Sequence, residues 1–135
     1  MRYFCNIPGH RTEPRMSTTP DTANLLALRT LIRQFVDERD WAQFHTPKNL
    51  AMAMGIEAAE VMEHFQWLAT GHELTADKRR AVGHELADVL VYLVRLADVL
   101  DIDLPTAVAG KMQLNREKYP ADKVRGDARK YDEYD

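Results

Sequence analysis

Residues 50–69 read LAMAMGIEAAEVMEHFQWLA and residues 82–100 read VGHELADVLVYLVRLADVL, and these two runs decide the fold. At helical spacing, Leu50, Ala53, Met54, Val61 and Leu68 make one apolar stripe on the first run, while Met52, Ile56 and Met62 lie well away from it. The second run behaves alike. Val82, Val89, Leu93 and Leu96 form one face, and Leu86, Leu90, Val94 and Ala97 form another. Helices apolar nearly all round need cover on two sides, which a four-helix monomer of this size supplies poorly. A homo-oligomer, dimer or tetramer, built on these helices is therefore expected.

Outward from this pair, caps and periodicity mark four helices. The first runs from about Asp21 to Asp40, after Thr19-Pro20-Asp21, with Leu25, Leu28, Ile32 and Phe35 at helical spacing. The second opens at Thr46-Pro47, a cap followed by proline at the first helical position, and continues to about Ala69 before Thr70-Gly71. The third spans about Thr75 to Leu100. The fourth opens at Asp103-Leu104-Pro105 and carries Val108, Met112 and Leu114 to about Lys118, where Tyr119-Pro120 stops it. With no alternating strand pattern, the fold class is all-α, a four-helix-bundle protomer.

The 135 residues suit one domain, expected over 21–120. Residues 1–20 lack a helical period and read as a disordered N-terminal extension, with Met16 a sensible alternative start; residues 121–135 read as a polar tail. A 45% hydrophobic and 29% charged composition is that of a folded chain. A net charge of −3 without a basic stripe argues against a nucleic-acid polymer as partner, although a mononucleotide held through a metal needs no such stripe. One cysteine, Cys5, no membrane-length apolar run and no signal-like segment give a cytoplasmic expectation without membrane attachment.

The chemical signal is the placement of acids on the central helices. Glu57 and Glu60 are spaced i, i+3, roughly 4.5 Å apart along the axis, and Glu85 and Asp88 repeat the spacing on the next helix. Each pair brackets an apolar stripe, so four carboxylates are expected to point inward. Burying an unpaired carboxylate costs several kcal/mol, and the only basic residue near the first pair is His64. Divalent cations are the simplest compensation, and hard oxygen ligands suit Mg²⁺ or Mn²⁺ better than zinc. One E-x-x-E alone is usually a solvated face; two pairs inside apolar stripes raise the case for a metal site, and spacing alone leaves both readings open. A di-iron bundle wants Glu-x-x-His, but position 63 is glutamate and position 88 aspartate.

GIEAAEVMEHFQW (55–67) and ELADVLVYLVRLA (85–97) resemble the E-x-x-E and E-x-x-D signature of the all-α NTP pyrophosphohydrolases, the MazG-like superfamily. RDWAQFHTPKNLAMAM, FQWLATG, DLPTAV and KMQLNREKYPADKVRG follow in the order of its dCTP pyrophosphatase branch, so the similarity runs from about Leu25 to Tyr131. The resemblance implies that Glu57, Glu60, Glu85 and Asp88 bind Mg²⁺ and carry catalysis. It also implies that Trp41, His45, Trp67 and Tyr92 line the nucleoside pocket, and that Lys111, Asn115 and Tyr119 face phosphate or sugar. Some members of that branch carry a polar His where this chain has Ile32, and the connection between the second and third helices is shorter here.

The implied reaction is Mg²⁺-dependent hydrolysis of dCTP, or a modified dCTP, to dCMP and diphosphate, with Glu60 or Glu63 as base. A dUTP or broad-range NTP pyrophosphatase would share the metal site and differ in the base pocket. A non-catalytic nucleotide-binding oligomer would bind without turnover.

Overall fold

The computed structural model describes residues 24–126 and 128. Among the described residues every regular element is helical and none is a strand. The expected entry at Thr19-Pro20-Asp21 lies outside them. Helix α1 spans Leu25–Asp37, with the Asn24 side chain accepting from the Ala27 N–H at 3.0 Å. It ends three residues before the expected Asp40, because Asp40 takes a left-handed φ of 51° and the Trp41 N–H turns back to the Val36 carbonyl at 3.0 Å.

A single 3₁₀ turn, Ala42–Phe44, leads to the Thr46 cap, and helix α2 spans Pro47–Glu63 with proline in its first turn. The sequence put the end of α2 at Ala69, and the structure corrects it. Beyond Glu63 the backbone bonds tighten, with His64 N–H on Val61 and Phe65 N–H on Met62, and the chain folds back so that the Phe65 ring covers Gly71. Gly71 has φ 78°, and a Cβ built there would meet Phe65 Cδ1 at 2.8 Å, so the turn depends on glycine.

Helix α3, Ala76–Val99, is capped by Thr75 accepting from the Lys78 N–H at 3.2 Å. Asp101, at φ 53°, ends that stretch, and Ile102 N–H reaches the Ala97 carbonyl at 2.8 Å. Helix α4, Leu104–Lys118, begins at the Asp103 cap as its sequence predicts. A further short turn, α5 (Ala121–Val124), lies in the segment read from sequence as a polar tail.

Helices α2 and α3 form the main interface and run antiparallel: His64, past the end of α2, faces Glu85 near the start of α3. Helix α1 packs on the other flank of α3, where Ile32, Val36 and Val94 form the core cluster, with Trp41, Val91 and Leu104 against it. The Phe35 and Trp41 rings meet edge to face, centroids 5.9 Å apart, and the Arg39 guanidinium caps Phe35 at 3.6 Å.

Four-helix packing is not closed within this chain. Helix α4 is anchored at Leu104 but buries none of its residues, leaving Val108, Met112 and Leu114 exposed. Met52, Ile56 and Met62 of α2 are exposed too, as are Leu86 and Leu90 of α3. Met52, Ile56 and Met62 lie off the apolar stripe of α2 in sequence, but stripe residues Leu68 and Leu93 are exposed as well. None of the helices described is long and apolar enough to cross a membrane.

Candidate active site

Antiparallel packing of α2 on α3 brings the two i, i+3 acid pairs face to face. Carboxylate oxygens of Glu57, Glu85 and Asp88 all lie within 4.8 Å of one another. Glu60 stands outside that trio, yet its charge acts on Asp88. Burial holds the Asp88 carboxyl above the ordinary carboxylate range; Glu60 adds to the rise and His84 opposes it. The one nearby base on α2 is the expected one, His64, whose Nε2 is 3.9 Å from Glu85 Oε1.

All four acids are half-buried, and no charged residue among those described is fully buried. The inward placement expected from sequence is thus a partly open groove, which still admits solvent. Three carboxylate oxygen donors at this separation, with one imidazole beside them, could hold a divalent cation.

Two cavities adjoin one another, and Asp88 lines one of them. One, of about 250 Å³, lies between the 3₁₀ turn and α2, walled by Trp41, Phe44, His45, Asn49, Ile56 and Tyr92. The other, of about 280 Å³, lies between α1 and α3, walled by Ile32, Phe35, His45, Asp88, Tyr92 and Arg95. They share His45 and Tyr92, so both cavities converge there; each is near the lower bound, roughly 300 Å³, for small-ligand pockets. Burial, and then the Arg95 charge, lower the pKa of His45, which favours a neutral imidazole; its Nδ1 is buried with no hydrogen-bond partner.

Of the residues expected to bind nucleoside, Trp41, His45 and Tyr92 are brought together. Trp67 is not. It follows the early end of α2 and is 88% exposed, outside both cavities. Lys111, Asn115 and Tyr119 lie on or just after α4 and line neither cavity. Ile32, by contrast, is a wall of the second cavity.

Sequence reasoning missed Arg95, Phe35, Lys48 and Asn49. For Arg95 a signal existed: it interrupts the apolar run YLVRLA two turns after Asp88, on nearly the same helix face. Asn49 has a local role, its Nδ2 donating to the Phe44 carbonyl at 3.0 Å and fixing the turn that carries His45.

The chain is 44% identical over 123 residues to human dCTP pyrophosphatase 1, covering 88% of this chain and 72% of that protein. The bovine dCTP pyrophosphatase 1 is 41% identical over 133 residues, covering 93% and 79%. A crystal structure of a pyrophosphatase from Archaeoglobus fulgidus superposes with a TM-score of 0.62 at 36% identity, covering 85% of this chain and 99% of that one. Residues 52–134, which hold both acid pairs, match the model of the MazG-like family. The chain therefore belongs to the MazG-like family.

Proposed function

We propose that this chain is a Mg²⁺-dependent pyrophosphohydrolase that converts dCTP and water to dCMP and diphosphate. The observation that carries the reading is the acid trio of Glu57, Glu85 and Asp88, whose Asp88 also walls the cavity lined by His45 and Tyr92. Its relatives' names, dCTP pyrophosphatase 1, supply the substrate. A Mg²⁺ ion held there, or Mn²⁺ in its place, supplies charge neutralisation of the triphosphate and activation of the attacking water.

The protein's own part is positioning and electrostatics. Glu57, Glu85 and Asp88 would hold the cation, which would supply charge neutralisation at the triphosphate. Glu60, outside the trio but acting on Asp88, is placed to accept a proton from water; Glu63 is exposed and less suited. Water attacks the α-phosphorus, the bond from that phosphorus to the bridging oxygen breaks, and diphosphate leaves with the bond's electron pair. Tyr92 and His45, shared by both cavities, receive the sugar and base, with Ile32 and Phe35 as an apolar wall on one side and Trp41 on the other.

Uncovered apolar faces on α2, α3 and α4 support a homo-oligomer in which four-helix packing is completed between copies. Trp67, Lys111, Asn115 and Tyr119, expected at the nucleotide, line neither cavity of the single chain and would have to reach it from a neighbouring copy. Incubation with Mg²⁺ and dCTP should give dCMP and diphosphate in equal amounts. Release of phosphate and dCDP, or no turnover, would refute the reading.

A further inference from the structure

The cavity between α1 and α3 is lined by an arginine that the acid site does not use. Arg95 lines this cavity, and its Nε is buried with no hydrogen-bond partner. Leaving a charged donor unpaired in a dry site is costly, and such groups mark a place that a ligand completes. The guanidinium is not free to leave. Its Nη1 donates to Asp98 Oδ2 at 2.9 Å, and Asp98, whose side chain is only 4% exposed, is held in turn by Arg33 from α1.

Position on the helix says which part of a nucleotide Arg95 meets. Arg95 follows Asp88 by two turns on nearly the same face, roughly 10 Å along the axis. Phosphates belong at the acids. Tyr92 and Val91 wall the stretch between, where the sugar and ring would lie, and Arg95 stands at the far end with His45.

We infer that Arg95 reads the hydrogen-bonding edge of a pyrimidine base, its Nε–H donating to the acceptor edge formed by cytosine O2 and N3. This rests on the nucleotide-hydrolase reading of the same site. Uracil and thymine carry an N–H at position 3, which would oppose the guanidinium donors. One charged hydrogen bond gained against one donor clash separates the bases by at least about tenfold. A neutral His45 beside Arg95 adds no competing positive charge.

The test is equilibrium calorimetry of the full chain with dCMP, dUMP and dTMP in Mg²⁺ buffer. Wild type should bind dCMP at least about tenfold more tightly than dUMP or dTMP. Arg95→Met, which keeps the apolar stem, should bring the three affinities within about twofold, mainly by weakening dCMP. Arg95→Lys, which keeps the charge but loses the Nε donor, should also lose the preference and covers the case in which the Met variant fails to fold. Equal weakening of all three ligands, retained preference in the Lys variant, or no preference in wild type would each overturn the assignment. Turnover of dCTP is measured separately: its absence with preference intact sinks the hydrolase reading and leaves the Arg95 assignment standing.

Discussion

Arg33 of α1 and Asp98 of α3, 65 residues apart, face one another in a forked ion pair, Arg33 Nε donating to Oδ2 at 2.8 Å and to Oδ1 at 3.1 Å. Arg95 donates to the same carboxylate from its own helix, and Arg29 approaches to 3.9 Å. One carboxylate thus ties α1 to α3 at the end of the cavity. Replacing it leaves three arginines without their common partner, so Asp98→Ala should cost about 2–3 kcal/mol in chemical denaturation, the range for removing one member of a hydrogen-bonded charge network.

The same pair sets an acid limit. The hydrogen bond from Arg33, with the charges of Arg33 and Arg95, holds the Asp98 carboxyl below the usual carboxylate range despite its burial. The unfolded chain, whose Asp titrates near about 3.9, binds this proton more readily than the folded one. The contribution is complete above roughly pH 5, one unit above that value, and is lost as pH falls through the lower folded value. Thermal midpoints recorded from pH 6 down to pH 3 should fall more steeply for wild type than for Asp98→Asn.

At the acid trio the sign reverses. Asp88 sits above the ordinary range because burial and Glu60 disfavour its charge, so in metal-free protein its ionised form opposes folding at neutral pH. Asp88→Asn and Glu57→Gln should each lower Mg²⁺-dependent turnover by at least about a hundredfold. Without metal, Asp88→Asn should melt no lower than wild type in calorimetry with EDTA. A variant that kept most of its rate would remove that residue from the metal site.

Gly71→Ala should destabilise by about 1–2 kcal/mol, combining a left-handed φ with a Cβ driven against the Phe65 ring. Gly83→Ala is the control, since a Cβ there meets nothing within 4 Å and α3 gains a better helix former. Urea midpoints for the two variants should move in opposite directions.

Val108→Glu and Met112→Glu place charges on α4 surfaces that are exposed in the single chain. Were those surfaces in water, each change would alter stability by less than about 0.5 kcal/mol. If copies cover them, sedimentation should show a smaller species and dCTP turnover should fall with it.

Much of this molecule was legible because its signals are local. Caps at Thr46, Thr75 and Asp103 each depend on a side chain and the backbone three residues on, and they fall where the sequence put them. Meeting of Glu57 with Glu85 and Asp88 follows from two i, i+3 pairs on neighbouring antiparallel helices. The end of α2 was not legible, because it depends on Phe65 closing over Gly71, a contact that periodicity does not encode. Arg95 was overlooked since an arginine in an apolar run reads as a solvated residue until Asp98 and the cavity wall are seen around it. Trp67 is expected at the pocket from the family resemblance, yet α2 stops at Glu63 and leaves it 88% exposed.

Helix α4 is 15 residues long and buries none of them against its own chain. A peptide of that length is marginally helical in water, and within its own chain this helix is held by the Asp103 cap and Leu104. If neighbouring copies cover the rest of it, the law of mass action governs this quarter of the fold: dilution frays it first, and the melting temperature climbs with protein concentration. Amide hydrogens of α4 would then exchange faster on dilution while those of α3 hold steady, making the last long helix a gauge of how many chains have met.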